Sequence, residues 1–138
     1  MMAGIKGKNT RPEILVRKLL HSRGFRFRLH GRSLPGKPDL VFRKYKAVIF
    51  VNGCFWHRHN CHLFKWPLTR KEFWKIKIRS NKRNDIVNIV RLKKNGWRAL
   101  NVWECALKGK TRLKPDRLSN MIASWLVTGK KSTLIRGK

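Results

Sequence analysis

At 138 residues the chain has the length of one domain, and its 41% hydrophobic content is enough to build a core. Lys and Arg total 35 against 6 acidic residues, a formal net charge of +29. A surface of that sign repels itself unless a polyanion neutralises it, so the composition points to nucleic acid and argues against a face charged merely for solubility. The longest apolar run, Ala47 to Val51, is too short to span a bilayer, and no signal-like stretch opens the chain, so a cytoplasmic location without a membrane is expected.

Thr10-Arg-Pro-Glu13 reads as a capping box, with Thr10 as N-cap, an early Pro and Glu13 at the third helical position. Ile14, Leu15, Leu19 and Leu20 continue at helical spacing until Gly24 supplies a stop. Phe25, Phe27 and Leu29 alternate with Arg and predict a strand with one basic face. The Gly- and Pro-rich stretch from His30 to Pro38 reads as a loop. The apolar runs Asp39-Leu-Val-Phe and Ala47-Val-Ile-Phe-Val, separated by Arg-Lys-Tyr-Lys, predict a hairpin.

Residues 52–69 hold a Cys/His/aromatic cluster and read as irregular. Arg70 to Asn95 predicts a long basic helix with Phe73, Ile76, Ile89 and Leu92 turned inward, ended by Gly96. Trp97 to Trp103 predicts a third central strand, and Pro115 opens a last helix carrying Leu118, Met121, Ile122, Trp125 and Leu126. Trp97, Trp103, Trp125 and Phe73 fit core positions, while Trp66 has no assigned place. One domain is expected over residues 1–128, followed by a basic, mobile tail over 129–138. The order α-β-β-β-α-β-α implies an α/β fold, a mixed sheet flanked by helices.

In a chain built to attract phosphate, each acid repels the ligand unless a cation lies between them. Glu13, Asp39, Glu72, Asp85, Glu104 and Asp116 are therefore informative by their rarity. All three cysteines can share one metal site: Cys54, His59 and Cys61 cluster, and Cys105 follows a strand end. Thiolate and imidazole ligands at this density favour tetrahedral Zn2+, which is structural when four protein ligands close the site. Spacing alone leaves His57 and His62 as competitors of His59 for the fourth position. Asp39 precedes a strand whose neighbour ends near Asn52, and two such strands can bring a carboxylate and a backbone carbonyl onto one hard cation such as Mg2+. His57 then offers a general base for the attacking water.

Leu34-Pro-Gly-Lys-Pro-Asp39, the stretch from Val48 to Cys61 with its Asn52-Gly-Cys-Phe-Trp-His57 centre, and Trp97-Arg-Ala-Leu-Asn-Val-Trp-Glu-Cys105 resemble the very short patch repair (Vsr) endonucleases, nearly colinearly from Met2 to Trp125. The resemblance implies a restriction-endonuclease-like fold and an enzyme that nicks one DNA strand beside a T·G mismatch left by deamination of 5-methylcytosine. It implies Asp39 and the Val51 carbonyl as ligands of Mg2+, His57 as general base, Asp85 as the carboxylate supporting the base or a metal-bound water, and Glu13 as a further active-site acid. It selects Cys54, His59, Cys61 and Cys105 for Zn2+. Phe55, Trp56 and Trp74 would wedge between base pairs, with Met2 entering from the opposite groove. The implied partner is mismatched double-stranded DNA, with mismatch-repair proteins as further candidates and a monomer as the family precedent.

Asn52 departs from the family pattern, which has a second active-site histidine there. An amide can hydrogen-bond phosphate or water but holds no positive charge near neutral pH, which implies slowed or lost catalysis. The chain also begins late against the family pattern, with a Met in place of a longer arm that contacts DNA. Two other readings share the charge, aromatics and zinc cluster: a non-catalytic zinc-bearing nucleic-acid-binding protein, and a nuclease of the same fold with a different DNA substrate. The first leaves the sparing of Glu13, Asp39 and Asp85 unexplained.

Overall fold

A computed structural model of the chain describes residues 10–54 and 69–137. Helix α1 (Arg11–Ser22) starts on the expected capping box: the Glu13 amide donates to Thr10 Oγ1 at 3.4 Å, and the Thr10 amide donates to Glu13 Oε2 at 3.3 Å. Val16 and Leu20, one turn apart, are its buried stripe.

Strands β1 (Arg28–Leu29), β2 (Leu40–Phe42) and β3 (Ala47–Asn52) form two successive antiparallel pairs. The expected hairpin between β2 and β3 is present, turned by a short 3-10 segment at Arg43–Tyr45 and by Lys46 in the left-handed region, φ +50°. The strand expected over Phe25–Leu29 is shorter than its alternation suggested. Phe25 and Phe27 leave the ladder and pack their rings on Phe42, at centroid distances of 6.4 and 5.5 Å. Burying aromatic surface there outweighs two more residues of edge pairing.

Helix α2 (Lys71–Lys94) makes the crossover to β4 (Arg98–Trp103), which lies parallel to β3. β3 is covered on both faces. Ala47, Ile49 and Val51 pack with α1 and with α3 (Pro115–Thr128), while Val48 and Phe50 pack with Ile89 and Leu92 of α2. The expected mixed sheet between helices is thus the architecture observed.

Two expectations are corrected. Phe73 and Ile76 are exposed. Ile89 and Leu92 do face inward, and the stripe that continues from them is Trp74, Ile78, Asn81, Asp85, Asn88 and Leu92, all buried or half-buried at spacings of three and four. Half of that stripe is polar, so hydrophobic periodicity points to the wrong face in the first half of the helix. The residues after Gly129 are not a tail outside the core. Strand β5 (Thr133–Ile135) pairs parallel with β4, and Ile135 enters the main core. The order is therefore α-β-β-β-α-β-α-β.

Arg98 ties this edge together. Its guanidinium donates to the carbonyls of Tyr45, Trp125, Leu126 and Lys130 at 2.9–3.2 Å and lies over the Trp125 ring. Two of those acceptors are carbonyls in the last turn of α3, where backbone acceptors lack helical donors. Burial lowers the Arg98 pKa from its ordinary value. Among the described residues no helix is long and apolar enough to cross a membrane.

Candidate active site

Asp39 is fixed by the hairpin. Its amide donates to the Ile49 carbonyl at 3.0 Å, extending the β2–β3 ladder, and its carboxylate Oδ2 accepts the Val51 amide at 2.7 Å. In an extended strand the N–H and C=O of one residue project from the same edge. The Val51 carbonyl therefore leaves β3 on the side that carries Asp39. This is the carboxylate-plus-carbonyl arrangement expected for a hard cation.

Glu13 reaches the same place from α1. It is only 2% exposed, and a carboxylate buried so deeply needs partners. Oε2 closes the capping box, while Oε1 accepts from Arg17 NH2 at 2.9 Å and lies 3.5 Å from His30 Nδ1. Ligand-type atoms of Glu13, His30 and Asp39 all fall within 4.8 Å of one another. His30 is a site residue that sequence reasoning missed by treating it as part of a loop. Its amide donates to the Asp39 carbonyl at 2.9 Å, so β1–β2 pairing sets it opposite Asp39. The sequence signal was weak: a His closing an alternating run, opposite a Pro-Asp pair across a Gly-rich turn.

Asn52 and Asp85 form a second group. Asn52 ends β3 at 9% exposure and faces α2, where it lines a small cleft with Phe50, Asp85, Asn88, Ile89 and Asn101. Its Nδ2 donates to Asn101 Oδ1 at 2.9 Å. Gly36 closes this side of the site. At φ +78° it packs where a Cβ would meet Phe50 at 3.0 Å and Asn88 at 3.1 Å, so the loop before Asp39 rests directly on β3 and α2.

The β3–β4 register aligns Asn52 with Trp103, so Cys54 and Cys105 each follow their strand by two residues at the same sheet end. Both are buried and neither is in a disulfide. The Cys54 amide donates to Glu104 Oε1 at 3.3 Å, and Cys105 Sγ accepts the Gly137 amide at 3.3 Å. Their expected co-ligands His59 and Cys61 lie outside the described residues, as do His57, Phe55, Trp56 and Met2. Trp74 sits half-buried in the first turn of α2, edge-on to Phe73 at 5.0 Å, with Arg70 over the Phe73 ring.

The family description "DNA mismatch endonuclease Vsr" matches residues 1–63. The DNA mismatch endonuclease Vsr of Escherichia coli K12 is 46% identical over 125 residues, covering 91% of this chain and 80% of that protein. This chain belongs to the Vsr family. A type II nicking enzyme of Xanthomonas oryzae, V.XorIIP, is 45% identical over 122 residues, covering 88% of this chain and 89% of that one. The catalytic domain of the homing endonuclease I-Bth0305I superposes with a TM-score of 0.59 over 88% of this chain and 98% of that domain, at 21% identity. That last likeness is one of fold, and it matches the mixed sheet described above. Within this Vsr-family chain, the structure joins Asp39 with Glu13 and, separately, Asn52 with Asp85, and both groups lie at the end of β3.

Proposed function

We propose that the protein is a mismatch-directed DNA endonuclease that nicks one strand beside a T·G pair by cation-assisted phosphodiester hydrolysis. The observation that carries this reading is the convergence of Asp39 and the buried Glu13 in a chain with only 6 acidic residues and a charge of +29. Two carboxylates held beside a phosphate-binding surface would weaken binding unless a cation lies between.

Asp39 and the Val51 carbonyl suit Mg2+ as oxygen donors, and a bound divalent cation would polarise the scissile phosphate and stabilise charge on the leaving oxygen. Around it, the residues of the chain have separable tasks. The Val51 amide orients Asp39, Arg17 neutralises Glu13, and Asn101 holds Asn52. His57 is the proposed base that takes the proton of the attacking water, with Asp85 as its supporting carboxylate. Asn52 contributes a neutral hydrogen bond rather than a charge, so the developing negative charge is met by one cationic side chain fewer than in the family pattern.

Cys54 and Cys105, both buried thiols at one sheet end, fit two positions of a structural Zn2+ site completed by His59 and Cys61. Phe55, Trp56 and Trp74 are the proposed wedges, with Met2 from the other groove. Wedging selects mismatches because an unpaired step costs less to open. The exposed Lys and Arg of α2 would follow the phosphate backbone.

The test is nicking of a T·G duplex, a matched duplex and a branched duplex in Mg2+, with wild type and Asp39→Asn. A nick beside the T in the first duplex alone, reduced at least about 10³-fold in the variant, is the expected result. Cleavage of the branched duplex instead would assign the fold to another DNA substrate. Tight binding without cleavage would leave a non-catalytic zinc-bearing binder.

A further inference from the structure

We infer that His30 is a nitrogen ligand of the catalytic cation, oriented from behind by Glu13, so that Asp39 and His30 hold the ion together. The inference rests on the cation site proposed above and adds a residue to it. Three observations support it. Ligand atoms of His30, Asp39 and Glu13 lie within 4.8 Å of one another. Around an octahedral ion with bonds of about 2.1–2.2 Å, opposite ligands stand about 4.3 Å apart, so small side-chain rotations would close the set.

The second observation is the pairing of the ring. Arg17 NH2 lies 3.2 Å from His30 Nε2, and a guanidinium can only donate, so the Nε2 lone pair accepts from Arg17, which must swing aside before Nε2 can take a cation. Nδ1 then carries the proton and faces Glu13 Oε1 at 3.5 Å. A carboxylate behind one ring nitrogen, with the other released to a cation once Arg17 moves, is the arrangement that orients metal-bound histidines. Arg17 NH2 itself touches both Glu13 and His30, which marks this spot as a seat for positive charge.

The third observation is backbone placement. His30 has φ +54°, a left-handed conformation uncommon outside Gly but one that His, like Asn and Asp, adopts more readily than most residues. The His30 amide bond to the Asp39 carbonyl ties that conformation to the ligand opposite. An imidazole in the donor set also changes metal preference, favouring Mn2+ or Co2+ over Mg2+ relative to an all-oxygen site.

The experiment is Mn2+ binding to the full-length protein without DNA, measured by calorimetry and by electron spin echo envelope modulation, which detects ¹⁴N on the ion. Wild type is compared with Asp39→Asn, His30→Asn, His30→Gln and His57→Ala. Asn tolerates the left-handed backbone, and thermal melts of both His30 variants verify folding. Expected are ¹⁴N modulation in wild type and in His57→Ala, its loss in both His30 variants, and a drop in Mn2+ affinity of about 10–100-fold. Binding that depends on Asp39 but shows no ¹⁴N, or keeps it without His30, would overturn the inference and leave the cation site standing. Binding indifferent to Asp39→Asn would overturn the cation site itself, and the inference with it.

Discussion

Ile135→Ala tests the corrected role of the C-terminal residues. Ile135 is 5% exposed and joins the core that holds Leu100, Val102 and Trp125, whereas its neighbour Leu134, on the other face of the same strand, is 52% exposed. Truncating a buried Ile to Ala costs about 2–5 kcal/mol, and an edge strand that can relax inward falls toward the lower end, about 2–3 kcal/mol. For a chain of this length the unfolding entropy converts 1 kcal/mol to about 3 °C, so the melting temperature should fall by about 7–10 °C. Leu134→Ala, with the same change in chemistry, should lower it by less than about 3 °C. Thermal melts followed by circular dichroism compare the two. Equal small shifts would mean that residues 133–135 do not pack as β5, and the attachment of Gly137 to Cys105 would fall with it.

Other outcomes follow from single contacts. Glu13→Gln keeps the reciprocal cap but removes the charge paired with Arg17, and should cost about 1–3 kcal/mol in denaturant unfolding, given that Arg17 is partly exposed. Arg98→Ala removes four carbonyl partners at once and should cost about 2–4 kcal/mol, with Arg98→Lys restoring only part of it, since an ammonium lacks the planar fork. Arg79→Ala with Arg83→Ala, both exposed on α2, should lower the log–log salt slope of DNA binding by about 1 to 2, and an unchanged slope would move the phosphate track elsewhere.

Much of this protein is legible in its residues. The capping box of α1, the hairpin around Arg43–Tyr45 and the existence of the long helix α2 follow from local rules, because each depends on contacts within a few residues. Asp39 and Glu13 stood out for a different reason: acids are rare in a chain so basic, and motifs around them resemble the Vsr family. Tertiary structure decided what no local window contains. His30 became a site residue only when β1–β2 pairing set it opposite Asp39 and α1 brought Glu13 and Arg17 against its ring. The inward face of α2 was misread at Phe73 and Ile76 because Asn81, Asp85 and Asn88 sit on it, the last two lining the cleft at the end of the sheet. The last residues look like a tail by composition, yet the open edge of β4 and the apolar ground beneath it convert a three-residue run into a strand. Pairing and burial at long range carry that free energy, and they exist only once the rest of the sheet has formed.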